Sequence, residues 1–125
     1  TRDNGCMRVV SDTHDHGFSD YEPDDAESHV FGLEIVPEQV DQAGIVDLEL
    51  SAGQCHIHHA KTIHGSDPNT SDRRRCGYTM RYMPASVKVL SDGLQAKHEV
   101  YLARGQDWAD NEYGDPTAPF VPVAG

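Results

Sequence analysis

The sequence predicts an all-β protein, a sandwich or jelly roll, and two observations carry this prediction. Short apolar or alternating segments recur along the 125 residues, and Gly, Pro, Asn and Asp separate them. No segment longer than a few residues keeps the apolar period of a helix. We therefore expect short strands in a single domain over residues 1–125, because this length suits one core.

Alternation and turn residues place the individual strands. Residues 6–10 follow an Asn-Gly turn, and residues 45–50 alternate between apolar and wetter positions. The other predicted strands are residues 29–36, 54–59, 76–83, 87–90 and 98–102. Residues 11–28 are acidic without an apolar period and residues 65–72 are rich in turn formers, so we expect both to be loops.

Charge is unevenly distributed and limits the partners. Residues 1–50 carry two Lys and Arg against thirteen Asp and Glu, residues 51–104 eight against four, and residues 105–125 none against four. The net charge of −11 would repel a polyanion, so we expect no nucleic-acid partner. A small anion is still compatible with the basic middle segment.

The spacing of the cysteines and the length of the apolar stretches indicate the cellular compartment of the protein. Cys6, Cys55 and Cys76 are odd in number and far apart, which suits a reducing cytoplasm better than a disulfide framework. No apolar stretch approaches the roughly 20 residues that a membrane span needs. The sequence therefore predicts a cytoplasmic protein without a membrane partner.

The segment from residue 56 to residue 64 concentrates histidines. If it were extended, His56, His58 and His64 would share one face and His59 would lie on the other. Imidazoles on one inward face bind Zn, Fe, Ni or Cu, which leaves a zinc or nickel cupin site open. A single histidine taken alone is more often an ordinary hydrogen-bonded residue.

A Pro-Asn turn follows His64 and reverses the chain, which brings Arg75 back toward Ser66. An arginine fork binds a carboxylate through two hydrogen bonds, and a serine hydroxyl adds a third. We expect Arg73 and Arg74 to be solvated. For Arg75, spacing alone leaves a carboxylate site and an ordinary surface charge equally open.

The stretch "GQCHIHHAKTIHGSDPNTSDRRRCGYTMRYMP", residues 53–84, resembles the C-terminal signature of the phytanoyl-CoA dioxygenase family. Residues 3–17 and 98–108 resemble other parts of that family more weakly. The resemblance implies a double-stranded β-helix, which is a cupin-like jelly roll. It also implies an oxygenase that uses Fe(II) and 2-oxoglutarate to hydroxylate a small-molecule substrate.

The same resemblance assigns roles to three residues. His64 matches the distal histidine of the two-His-one-carboxylate iron triad. Arg75 matches the arginine that pairs with the far carboxylate of 2-oxoglutarate, and Ser66 matches the hydroxyl that assists it. Residues 11–28 and 106–118 would shape substrate access.

The other two iron ligands of the family form a His-x-Asp motif N-terminal to the Asn-Gly segment, where this chain begins. His14 and His16 do not replace that motif, and we expect both to be exposed loop residues. The chain is therefore expected to hold an incomplete β-helix with a homodimer covering its open sheet. Whether it is an enzyme stays open, and the alternative is a non-catalytic β-sandwich binding module.

Overall fold

The computed structural model describes residues 1–24, 32–90 and 99–118. These residues form two small antiparallel sheets and four 3₁₀ turns, and the described part of the chain contains no α-helix. The 3₁₀ turns are Arg2–Asn4, Thr13–Asp15, Pro37–Gln39 and Gln42–Gly44. This architecture agrees with the predicted all-β class.

The first sheet has three strands with the N-terminal strand at its centre. Strand β1 (Met7–Val10) pairs with both β4 (Ile45–Leu48) and β5 (His64–Ser66) in antiparallel fashion. In this register Val9 lies opposite His64. The predicted strands at 6–10 and 45–50 are confirmed over Met7–Val10 and Ile45–Leu48. The loop predicted at 65–72 is wrong at Gly65 and Ser66, because these residues pair with β1 as part of β5.

The second sheet pairs β2 (Tyr21–Pro23) with β3 (Leu33–Ile35). Strand β3 confirms part of the strand predicted at 29–36. Strand β2 lies in a segment predicted to be a loop, so that prediction is wrong over these three residues. The sequence carries no strand signal here, because β2 has only three residues and two of them are a glutamate and a proline, which strands disfavour.

Four other predicted strands are not formed within the described residues. Residues 54–59, 76–83, 87–90 and 99–102 have no strand structure, and His98 lies outside the described residues. An alternating pattern supplies only the side chains of a strand. The backbone also needs a neighbouring strand to bond with, which a local pattern does not reveal.

The chain divides into two compact units, Thr1–Gly77 and Tyr78–Gly125. Both sheets belong to the first unit. In the second unit, the described residues 78–90 and 99–118 contain no strand. The single domain over residues 1–125 stays a prediction.

Burial is limited across the described residues. Val10 is the one buried hydrophobic side chain among them, at 4% exposure, whereas Ile57 is 95% exposed. In the described part of the chain, β4 and β5 each have one edge that no strand covers. The homodimer stays a prediction, and sedimentation velocity at micromolar concentration would contradict it by giving a compact monomer.

None of the helical segments in the described ranges has the length and apolar character required to span a membrane.

Candidate functional site

The structure brings two of the predicted site residues into direct contact. Arg75 Nη2 donates a hydrogen bond to Ser66 Oγ at 2.9 Å, across nine residues of chain. Both side chains are exposed, so the guanidinium keeps donors available for a ligand. The return of Arg75 to Ser66 is the geometry that the Pro-Asn turn predicted, although no strand begins near Arg75.

His64 opens β5 and lies two residues before Ser66, so the two side chains project from the same face of the strand. Its Nδ1 lies 2.7 Å from the carbonyl oxygen of Thr62. Since a carbonyl only accepts, Nδ1 donates this hydrogen bond, and the neutral form of the ring then has its lone pair on Nε2. A backbone carbonyl on the second ring nitrogen is the usual support of a metal-binding imidazole.

The histidine rings separate into the predicted groups, although residues 60–62 form a turn and the segment is not extended throughout. The ring centroids of His56 and His58 lie 5.2 Å apart, and those of His58 and His64 lie 4.9 Å apart. The ring of His59 instead lies 6.0 Å from that of His14. Three imidazoles therefore form a row of neighbouring rings.

This row of rings favours neutral imidazole at its centre. Burial lowers the pKa of His58, and the neighbouring His64 and His56 lower that pKa further because a second positive charge is disfavoured. The rings of His56 and His58 are stacked at 26°. Stacked rings face one another and do not aim nitrogens at one point. Within residues 1–24, 32–90 and 99–118, no group of three His, Cys, Asp or Glu is arranged to hold a metal ion.

A loop of residues 67–73 connects Ser66 to Arg75 and is held at its far end by two side-chain amides. Asn4 Nδ2 and Asn69 Nδ2 donate to the carbonyl oxygen of Arg73 at 2.9 and 2.7 Å. Asn4 Nδ2 also donates to Ser71 Oγ at 3.2 Å. The backbone is therefore fixed two residues before Arg75.

The near end of the loop is held by a cation on β1. Arg8 Nη1 donates to both carboxylate oxygens of Asp67, at 3.2 and 3.0 Å. Arg8 Nε also donates to Asp47 Oδ1 at 3.0 Å on the neighbouring strand β4. Asp67 directly follows Ser66, so this pair fixes the chain next to the hydroxyl.

Sequence reasoning missed these supporting residues. The sequence predicts for Asn4 only a place in the turn before β1. The signal that points to its further role is the density of Asn, Ser and Asp in residues 67–72. Such side chains bond to nearby backbone rather than to solvent. Arg73 is exposed, as expected, and its guanidinium also pairs with Asp3 at 2.8 Å on the surface.

A cavity of about 340 Å³ lies beside the start of β5 and is lined by His16, Gly17, Phe18, Ser19, Gln39 and Ile63. Thr13 fixes this neighbourhood, because its hydroxyl accepts from the Ile63 amide at 2.9 Å and donates to the Val10 carbonyl at 2.8 Å. The cavity is within the size range of small-molecule sites. The predicted loop 11–28 thus contributes four lining residues.

Together these features define an anion-binding site next to a possible metal ligand. An imidazole on a strand has its Nε2 free, and a serine and arginine pair suited to a carboxylate follows it. The sequence model of the phytanoyl-CoA dioxygenase family matches residues 1–77 of this chain. The chain therefore belongs to the phytanoyl-CoA dioxygenase family. The matched range coincides with the first compact unit. No curated protein and no solved structure matches the chain significantly.

The residues can be tested against the iron and 2-oxoglutarate that this family generally uses. The arginine and serine donors suit the far carboxylate of 2-oxoglutarate. His64 suits one iron ligand because of its hydrogen-bonded Nδ1. The described residues thus fit the binding of the 2-oxoglutarate carboxylate and supply one of the ligands that an iron site needs.

Proposed function

We propose that this chain contributes the distal histidine ligand and the cosubstrate anchor of an Fe(II) and 2-oxoglutarate dependent dioxygenase with a double-stranded β-helix. The observation that carries the proposal is the 2.9 Å hydrogen bond from Arg75 to Ser66. Ser66 lies on β5, the strand that begins with His64. Family membership over residues 1–77 supports it. When bound, iron and 2-oxoglutarate supply the oxygen-activating redox chemistry of hydroxylation.

In this proposal the residues of the chain bind and orient. Arg75 and Ser66 hold the far carboxylate of 2-oxoglutarate, and the fork of the guanidinium fixes the plane of that carboxylate. His64 offers Nε2 while Thr62 holds its ring. The spacing of two residues along β5 keeps the ligand histidine and the anchoring hydroxyl on one face.

We further propose that the substrate is a small organic molecule that enters through the cavity beside Ile63. Ile63 lines this cavity and immediately precedes His64, so the cavity lies one residue along the chain from the proposed metal ligand. Phe18 lies at its rim with Lys61 Nζ 4.7 Å from the ring centroid, which supplies an apolar surface and a positive charge. These groups favour a substrate with both an apolar part and an anionic part.

A dicarboxylate titration tests the anchor. We expect 2-oxoglutarate to shift the Arg75 side-chain NMR signals of the wild-type chain in a saturable manner. Arg75→Lys keeps the charge but loses the fork, so affinity should fall at least about tenfold. Arg74→Lys is the matched control and should bind like the wild type. Equal binding by wild type and Arg75→Lys would exclude this anchor.

An anaerobic titration with Fe(II) tests the metal role. A visible absorption band that forms only with both Fe(II) and 2-oxoglutarate, and is lost in His64→Ala, supports a ligand role for His64. His59→Ala is the control, because the His59 ring lies toward His14. Weak metal binding that survives His64→Ala would contradict the proposal.

A second candidate is a non-catalytic module that binds a carboxylate without iron. It is favoured by the finding that no three potential ligands converge within the ranges that the structure describes. This candidate predicts 2-oxoglutarate binding that depends on Arg75 but is unchanged by added Fe(II). Calorimetric titration with and without Fe(II) separates the two functions.

A further inference from the structure

We infer that Asn4 is a positioning residue for the anion anchor: its side-chain amide holds residues 67–73 so that Arg75 is directed at Ser66. The inference rests on the proposed function, since it concerns the carboxylate that Arg75 and Ser66 would bind. Asn4 itself does not touch that site. It acts through the backbone of the loop.

The first step concerns the Arg73 carbonyl. It accepts from Asn4 Nδ2 at 2.9 Å and from Asn69 Nδ2 at 2.7 Å, so both lone pairs of this oxygen are used. Arg73 is the last residue before Arg75 whose backbone is held in this way. Fixing its peptide plane limits the directions in which the Arg75 side chain can leave the chain.

The second step concerns the interior of the loop. Asn69 Oδ1 accepts from the Ser71 amide at 3.0 Å and from Ser71 Oγ at 2.8 Å, and Asn4 Nδ2 donates to the same hydroxyl at 3.2 Å. Asn4 therefore joins a network that already contains the side chains of Asn69 and Ser71. Removing its donors leaves two acceptors of this network without their distant partner.

The third step concerns the backbone beside Asn4. Gly5 has φ +69°, and a Cβ at this position would lie 2.7 Å from the carbonyl oxygen of Asp67. The Asp3 carbonyl accepts from the Thr70 amide at 3.0 Å. The turn at residues 3–5 thus lies directly against the loop, and Asn4 extends from a backbone that is itself fixed there.

The exposure of the loop explains why such support matters. Residues 67–70 and 72–75 are exposed, so packing does not hold them. An exposed arginine has many rotamers, and ordering it on ligand binding costs free energy. A fixed Arg73 carbonyl reduces this cost before the ligand arrives.

Asn4→Asp tests the inference because it keeps the shape of the side chain and removes the NH₂ donors. We expect the Arg75 side-chain NMR signals to show increased mobility and the affinity for 2-oxoglutarate to fall about tenfold. Gln42→Glu is the matched control. It makes the same amide-to-carboxylate change at an exposed position of the same compact unit, outside the loop and outside the cavity lining.

The outcomes separate this inference from the proposed function. If wild type does not bind 2-oxoglutarate but Asn4→Asp alone mobilises Arg75, positioning is supported and the proposed anchor is wrong. If Asn4→Asp changes neither Arg75 mobility nor affinity, the inference is overturned. It is also overturned if Gln42→Glu mobilises Arg75 and weakens binding equally. Such a result would show that the added charge, and not the lost hydrogen bonds of Asn4, is responsible.

Discussion

Different kinds of interaction stabilise the interior of each of the two compact units. In Thr1–Gly77, β1 pairs with two strands from distant parts of the chain, and Arg8 bridges Asp47 and Asp67. The described part of Tyr78–Gly125 forms no strand, and isolated bonds such as that from the Trp108 amide to the Ala85 carbonyl link its backbone. Local caps add to them, since Asp107 accepts from the Ala109 and Asn111 amides. A paired sheet makes a unit cooperative, whereas isolated bonds and local caps permit local opening.

The largest expected effect comes from Gly5→Ala in the first unit. The backbone at Gly5 is left-handed, with φ +69°, which strains an alanine. The alanine Cβ would also lie 2.7 Å from the Asp67 carbonyl oxygen. We expect a loss of roughly 3 kcal/mol in the free energy of unfolding. Denaturation followed through the Val9 amide signal in NMR measures this loss.

Gly53→Ala is the matched control for that substitution. Gly53 has φ +85°, but a Cβ there would meet no atom within 4 Å. It should therefore lose only about 1–2 kcal/mol from backbone strain. Equal losses for the two variants would show that the close approach of Gly5 to Asp67 contributes nothing.

The first unit shows which of its features the sequence could predict and which it could not. Strands β1 and β4 were predictable because apolar alternation and an Asn-Gly turn act locally. The contact of Arg75 with Ser66 was predictable from turn chemistry and the family motif. Asn4 was not, because its partner Arg73 lies 69 residues away and no local pattern encodes that pairing.

The next effect in size is expected for Val10→Ala. Val10 is 4% exposed, so truncation removes buried methyl groups, and we expect the free energy of unfolding to fall by about 2 kcal/mol. Val87→Ala, at 43% exposure in the second unit, is the matched control and should cost well under half as much. Chemical denaturation measures both, and similar losses would contradict a core centred on Val10.

A smaller effect is expected for Asn111→Ala in the second unit. Its Oδ1 accepts from the Val89 amide at 2.8 Å, and its Nδ2 donates to the Val87 carbonyl at 2.9 Å. Each of these bonds contributes about 0.5 kcal/mol when its partners remain accessible to water, so we expect a loss of about 1 kcal/mol in the free energy of unfolding. The fluorescence of Trp108, the one tryptophan in the chain, should report earlier unfolding in denaturant. Glu112→Ala controls for a change at the neighbouring position.

The smallest effect is a pH dependence of the second unit. The Ala109 amide lowers the pKa of Asp107 below its ordinary value of 3.8, burial opposes this shift, and the Tyr113 hydroxyl and Asn111 amide lower the pKa further. A lowered pKa in the folded state means that folding stabilises the ionised form of the Asp107 carboxyl. The contribution is therefore fully present above pH 3.8 and is lost as the pH falls through the folded-state value.

Hydrogen exchange at the Ala109 amide measures this loss, because that amide donates to Asp107. Protection should fall as the solution is acidified below pH 3.8, after correction for intrinsic exchange. Asp107→Asn should flatten the pH dependence, whereas Glu112→Gln removes one charge from the same segment and should leave it intact. If both variants flatten it equally, net charge governs the second unit and the local cap does not. The contrast with the ion-paired first unit would then lose its physical basis.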